Sequence, residues 1–165
     1  MSDVMNDNRP SPTDTPRMAQ WLGMGGWIPF WFPVALSVQA WLSDRSAAAE
    51  EALFTIYAAL ILSFLGGVRW GQAVALPGPR LNRTLFLSVG GCLIGLLAAF
   101  IHWLGYPMMA WALLALALLG HARWDRDAVK RGDLPNWFGR LRTTLTLGAI
   151  VSALAMMLVY NLARS

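Results

Sequence analysis

Charged residues are scarce in this chain of 165 residues. Asp, Glu, Lys and Arg make up 13% of it, whereas soluble globular domains carry about 25%. Hydrophobic residues make up 56% and occur in long uninterrupted blocks, without the stripes of an amphipathic helix. A water-soluble domain of this length needs more charge to cover its core. The composition therefore excludes that class and predicts an all-α, polytopic membrane protein.

The residues that support side-chain chemistry are also few. The single cysteine, Cys92, excludes an intrachain disulfide. No Asp or Glu falls inside an apolar block, so we expect no intramembrane carboxylate for proton or sodium transport. The sequence has no P-loop, no Ser-His-Asp set and no Cys/His cluster, and His102 and His121 fall at opposite membrane faces. We therefore predict no catalytic residue, no metal and no cofactor.

What the sequence does have is five apolar blocks, and about 20 helical residues cross a hydrocarbon core of ~30 Å. The predicted spans form a single domain at 21–162 and cover residues 21–42, 52–76, 84–104, 107–124 and 143–162. Residues 1–20 are polar and proline-rich, so we predict a disordered cytoplasmic tail. This tail lacks the form of a signal or transit peptide, which favours a bacterial inner membrane over a mitochondrial one.

The basic residues indicate the orientation. The tail, the second-to-third connection and the fourth-to-fifth connection together carry ten of the 13 Lys and Arg residues, whereas the opposite side has only Arg45 and Arg164. The positive-inside rule therefore predicts a cytoplasmic N-terminus and a periplasmic C-terminus. Because most of the arginines lie in these short connections, the net charge of +4 does not indicate nucleic-acid binding.

Small residues recur at four-residue spacing in the second and third spans. Ser63, Gly67 and Gly71 form one such series, and Gly91 and Gly95 form another. This spacing lets a neighbouring helix approach closely. We predict helix packing, either between spans two and three or with a partner chain. An alternative is a backbone opened at Gly66 and Gly67 to hold a ligand.

Arg69 is the charged residue placed clearly inside an apolar block. One interpretation is a snorkelling arginine that sets orientation, since it lies near the cytoplasmic end of its span and points away from Gly67 and Gly71. The other is a site for an anion or a lipid headgroup, formed with Trp70, Gly66 and Gly67.

Two prolines four residues apart, Pro29 and Pro33, predict a bend in the first span, because each removes a helical hydrogen bond. The bend shapes packing or, alternatively, forms a binding cleft.

The predicted cytoplasmic loop at 121–142 is the largest connection. Within it, Trp137 and Phe138 share an apolar face flanked by Arg140 and Arg142, which predicts a short interfacial helix attracted to anionic headgroups. Docking of this segment onto a partner is the alternative interpretation.

Three motifs resemble those of a known family. They are LG followed by GWIPF at residues 22–30, LSFLGGVRWG at 62–71, and LPNWF with a following Leu-Arg pair at 134–142. Together they resemble an uncharacterised membrane domain-of-unknown-function family that includes the eukaryotic transmembrane protein 69. The resemblance implies a multi-span inner-membrane protein and transfers no activity.

Several functions are compatible with this sequence. The leading hypothesis is a non-enzymatic accessory, assembly or scaffold component that packs against another membrane protein, with membrane lipids as its other partners. A small-molecule or lipid-headgroup binder or carrier with a cleft near Arg69 is the alternative. A membrane enzyme or haem protein is a third possibility, which the missing catalytic set disfavours.

Overall fold

The computed structural model describes residues 15–165, and all regular structure in this range is α-helical. The all-α prediction is therefore confirmed. The helices are α1 (Arg17–Gly25), α2 (Ile28–Leu42), α3 (Ala48–Ala75), α4 (Leu81–Trp103), α5 (Pro107–Lys130) and α6 (Asn136–Leu162). Most of the predicted disordered tail lies outside the described residues, but its last four residues, 17–20, begin α1.

The multi-span character is confirmed as well. Within residues 15–165, four helical segments are long and apolar enough to cross a membrane: Arg17–Leu42, which joins α1 and α2, and helices α3, α4 and α6. Helix α5, the remaining predicted span, has 24 residues, a length of ~36 Å. Its final third carries most of its charged side chains, so it is less apolar than the other four segments.

Helices α3 and α4 pack closely against each other, and glycines permit the approach. A Cβ atom on Gly66 would collide with the carbonyl oxygen of Ser88, and one on Gly91 would lie 2.6 Å from the Leu62 oxygen. A Cβ atom on Gly95 would lie 3.0 Å from the Ala59 oxygen. Only glycine therefore fits at this contact without a backbone shift.

The predicted stripe on α3 needs a correction. Gly67 and Gly71 are exposed, and a Cβ atom added to either would meet nothing within 4 Å. Ser63 is half-buried. The face of α3 that packs on α4 within the chain instead includes Gly66, one residue before the predicted position. The partner-chain alternative for Gly67 and Gly71 stays a prediction.

The first apolar segment is interrupted between α1 and α2, immediately before Pro29. Because Pro29 lies in the first turn of α2 and has no N–H, the local helical hydrogen-bonding pattern breaks. The Tyr57 hydroxyl donates a hydrogen bond to the Gly26 carbonyl oxygen at 2.9 Å, and Trp27 Nε1 donates to the Leu145 oxygen at 3.4 Å. Pro33 lies buried inside α2.

The predicted loop at 121–142 is largely helical, which corrects the sequence interpretation. Helix α5 continues to Lys130 and α6 begins at Asn136, so only residues 131–135 connect them. Gly132 has a φ of +78°, and the Asp133 N–H donates a hydrogen bond to the Ala128 oxygen at 2.9 Å. This arrangement ends a helix with a left-handed glycine and satisfies one of its last carbonyl groups.

The centre of the bundle is apolar. Phe54 packs edge-on against both Phe30 and Trp111, with ring centroids 5.7 and 6.1 Å apart respectively. Leu62 and Leu114 complete this buried layer. The layer separates two polar ends, one at the α5–α6 connection and one at the α4–α5 turn.

Candidate functional site

A buried ion cluster lies where α3, α5 and α6 meet, near the α5–α6 connection. Arg142 Nε donates a hydrogen bond to Asp125 Oδ2 at 3.1 Å, and Arg69 Nε lies 3.7 Å from Asp125 Oδ1. The residues Arg69, Asp125 and Arg142 are only 2%, 1% and 6% exposed. One carboxylate between two guanidinium groups leaves one positive charge in excess at a buried position.

The ion cluster is also short of hydrogen bonds. Within the described part of the chain, Arg69 Nε, Asp125 Oδ1 and Arg142 Nη2 are buried and have no hydrogen-bond partner. A buried polar atom without a partner costs about 1–3 kcal/mol, and more when it is charged. The two guanidinium groups thus each have an N–H group that could donate a further hydrogen bond, whereas Asp125 Oδ1 can only accept one.

Sequence reasoning missed Asp125. The expectation of no intramembrane carboxylate stays a prediction, since Asp125 lies one residue beyond the predicted span 107–124, but the structure places this carboxylate on the buried face of α5. That face is continuous along the helix and includes Trp111, Leu114, Leu118, His121, Asp125 and Ala128. The alternating spacing of three and four residues is the signal that could have found it.

Arg69 faces the bundle, which corrects the snorkelling interpretation. Its guanidinium carbon lies 4.5 Å from the centroid of the Trp124 ring, and Nη1 donates a hydrogen bond to Gln72 Oε1 at 3.2 Å. The other members of the predicted ligand set do not join it. Trp70 is 45% exposed on the outer face, and Gly66 packs against α4. Gly67 also faces outward.

Arg69 forms part of the wall of a cavity of about 360 Å³, which we call the basic cavity. It opens between the end of α3, the start of α4 and the end of α5. Its charged lining consists of four arginines and two aspartates: Arg69, Arg80, Arg83, Arg131, Asp127 and Asp133. Arg131 Nε pairs with Asp133 Oδ2 at 3.0 Å. The lining therefore carries two positive charges in excess.

The predicted interfacial residues separate into two groups. Trp137 and Phe138 are half-buried in the first turn of α6, with ring centroids 5.9 Å apart, and Arg140 is exposed. Arg142, in contrast, is buried and pairs with Asp125 in the ion cluster. Trp137, Phe138 and Arg142 also line a second cavity of about 410 Å³, the apolar groove, between α1, α2, α3 and α6.

The two histidines lie in different environments. His121 stacks edge-on against Trp124, with centroids 5.2 Å apart, beside the ion cluster. His102 lies at the opposite end, where its Nδ1 is 2.8 Å from Thr55 Oγ1. Among residues 15–165, no group of three or more His, Cys, Asp and Glu side chains could hold a metal ion.

The opposite end of the bundle contains separate ion pairs. Arg45 pairs with Glu50 at 2.7 Å, and Arg164 pairs with Glu51 at 3.4 Å. The Arg164 guanidinium also lies 3.5 Å from the centroid of the Tyr160 ring. These contacts tie the start of α3 to the end of α6 and to the α2–α3 connection.

The helix lengths, the apolar exterior and the two polar ends define a polytopic α-helical membrane protein. The family model described as "Protein of unknown function (DUF3429)" matches residues 15–158, and the chain belongs to this family. This match confirms the family resemblance seen in the sequence.

Two proteins named transmembrane protein 69 are similar to this chain. The one from Xenopus tropicalis is 33% identical over 144 residues, covering 84% of this chain and 53% of that protein. The one from Mus musculus is 26% identical over 149 residues, covering 90% and 59%. The chain thus spans a little over half the length of these relatives. No solved structure matches significantly.

Proposed function

We propose that this protein binds an anionic, phosphate-bearing group in the basic cavity, either the headgroup of a membrane lipid or a soluble phosphate compound. The observation that carries this proposal is Arg69, which lines the cavity while only 2% exposed and shares with Arg142 the carboxylate of Asp125, the one within 4 Å of it among residues 15–165. Because two buried arginines share one carboxylate, an anion bound on the cavity side of Arg69 would balance the remaining positive charge.

The chemistry of the lining supports the same ligand class. Guanidinium groups match the geometry of phosphate oxygens and form charge-assisted hydrogen bonds with them. Arg80 and Arg83 reach the cavity from the α3–α4 connection and the first turn of α4, opposite Arg69. The volume of about 360 Å³ lies within the range of small-molecule sites.

The location of the cavity fits a lipid source in particular. It lies at the end of the bundle where the basic connections gather, and the positive-inside rule assigns that end to the cytoplasm. We infer that the protein resides in the inner membrane of a bacterium in preference to that of a mitochondrion, with the basic cavity at headgroup level. Anionic lipids attract basic groups at that position.

Binding can be tested with the full chain purified in mild detergent. Retention of phosphatidylglycerol is measured by native mass spectrometry, and binding of inorganic phosphate by calorimetry. The double variant Arg80→Gln/Arg83→Gln removes two cavity arginines that are exposed and are not needed for the core. The control, Arg17→Gln/Arg123→Gln, removes two exposed arginines that do not line the cavity.

We expect the cavity variant to lose at least about tenfold in affinity, because charge-assisted hydrogen bonds contribute about 1.5–3 kcal/mol each, and the control to bind like the wild type. If only phosphatidylglycerol is retained, the anion bound in the basic cavity is a lipid headgroup. If only inorganic phosphate binds, the ligand is a soluble phosphate compound. If neither probe binds, or if both variants lose equally, the proposal is wrong.

A second candidate function is the accessory role, in which the protein packs against another membrane protein. The observation that favours it is the exposed glycine face of α3, where Gly67 and Gly71 have open space beside them. Gly67→Leu should release a partner from the complex extracted in mild detergent, whereas Leu60→Ile, on an exposed lipid-facing site, should not. A monodisperse lone monomer from native membranes would contradict this role.

A further inference from the structure

The apolar groove is a second cavity, separate from the basic cavity. Its wall combines α1, the start of α2, the middle of α3, Leu118 of α5 and the first half of α6, and its lining is almost entirely apolar. Trp27, Phe30, Ile61 and Val68 contribute to this wall. Its volume of about 410 Å³ is in the range that encloses a small ligand.

Arg142 is the charged residue in this wall among the described residues. It is 6% exposed, and its Nη2 is buried without a hydrogen-bond partner. Its Nε is already engaged by Asp125 at 3.1 Å. An apolar groove whose wall includes an arginine with one N–H group not yet hydrogen-bonded is complementary to an amphiphile with one anionic end.

The ion cluster divides the two cavities. Arg69 lines the basic cavity and not the groove, Arg142 lines the groove and not the basic cavity, and Asp125 touches both arginines. A phosphate group finds four arginines in the basic cavity but only one in the groove. The groove therefore suits a smaller, singly charged group, for which one guanidinium is enough.

We propose that the apolar groove binds a single long-chain carboxylate, a free fatty acid, with its chain along Trp27, Ile61 and Val68 and its carboxylate at Arg142. The acyl chain leaves water or disordered lipid for a surface lined with aromatic and aliphatic side chains. The carboxylate accepts the hydrogen bond that Arg142 Nη2 does not make within the protein. This inference does not rest on the ligand proposed for the basic cavity.

The head-group half of the proposal is tested without changing the protein. Native mass spectrometry of the full wild-type chain in detergent is carried out with palmitate and, separately, with methyl palmitate, which has the same chain and no charge. We expect one palmitate per chain and at least about tenfold weaker binding of the ester. Equal binding of the two probes would show that Arg142 selects no carboxylate and would overturn the proposal.

The chain half is tested by filling the groove. Val68→Trp places a large ring in the groove, whereas Val74→Trp, on the same helix, adds the ring at a site that is 56% exposed and outside the groove. We expect Val68→Trp to lower the affinity for palmitate at least about tenfold and Val74→Trp to leave it unchanged.

Arg142→Lys keeps the positive charge but changes the hydrogen-bonding geometry. We expect it to reduce, without abolishing, the ratio of palmitate affinity to methyl palmitate affinity. If Arg142 had only a structural role, this affinity ratio would stay as in the wild type. Palmitate binding that is unchanged by Val68→Trp would overturn the proposal. So would a homodimer that Val68→Trp dissociates, because the groove would then hold a second copy of the chain.

Discussion

Arg142 and Asp125 lie 17 positions apart in the chain, and their side chains form a hydrogen bond of 3.1 Å in the bundle interior. The contact joins the first turns of α6 to the last turns of α5, which only five residues, 131–135, connect. Because Arg69 of α3 shares the same carboxylate, one aspartate joins three helices. The two cavities then lie on either side of this contact.

Removing the shared carboxylate should therefore destabilise the fold strongly. We expect Asp125→Asn to lower the free energy of unfolding by about 3–5 kcal/mol, because two buried guanidinium groups lose their counterion. Asp127→Asn, a half-buried neighbour on the same helix, serves as the control and should have a much smaller effect. The measurement is chemical unfolding in detergent, followed by circular dichroism.

A compensating variant separates charge from packing. Combining Asp125→Leu with Arg69→Met and Arg142→Met removes all three charges together, and we expect it to recover most of the lost stability. If the triple variant were as unstable as Asp125→Asn, the instability would arise from packing and not from unpaired charge.

The α3–α4 contact provides a steric prediction. Gly91→Ala places a Cβ atom 2.6 Å from the Leu62 carbonyl oxygen, a backbone atom that cannot rotate away. We expect a loss of about 1–3 kcal/mol in the free energy of unfolding, as for other overpacked interiors. Gly90→Ala is the matched control, since a Cβ atom there meets nothing within 4 Å. Similar unfolding curves for the two variants would show that the helices can separate at no cost.

The sequence predicts the helices better than it predicts their faces. Hydropathy places α2, α3, α4 and α6 because long apolar runs are favourable in lipid whatever their neighbours. Hydropathy does not predict which side of α3 faces α4. Gly66 and Gly67 are adjacent and equally small, so only tertiary packing determines that Gly66 contacts α4. The polar final third of α5 resembles a loop in composition, and its burial could not be predicted because the pairing of Asp125 with Arg69 and Arg142 depends on tertiary packing.

The break between α1 and α2 should depend on one hydroxyl group. Tyr57 donates its hydrogen bond to the Gly26 oxygen at 2.9 Å, a carbonyl group that the interrupted helix leaves without its usual partner. We expect Tyr57→Phe to cost about 1 kcal/mol in the free energy of unfolding and to speed amide exchange at residues 26–30. Tyr106→Phe, at a position 58% exposed, should change neither quantity. Unchanged exchange in Tyr57→Phe would mean that the break is fixed by Pro29 alone.

The orientation can be tested by cysteine labelling, since Cys92 is the single cysteine of the chain. In a Cys92→Ala background, Lys130→Cys reports on the α5–α6 end of the bundle, and Ser43→Cys reports on the α2–α3 connection; both positions are exposed. The positive-inside rule predicts a cytoplasmic basic end, so for the protein expressed in a bacterium we expect a membrane-impermeant maleimide added to intact spheroplasts to label position 43 and not position 130. Permeabilised membranes should be labelled at both positions, which controls for reactivity. Labelling of position 130 alone in intact spheroplasts would show the opposite topology, with the basic cavity at the outer face, and would contradict the prediction from the positive-inside rule.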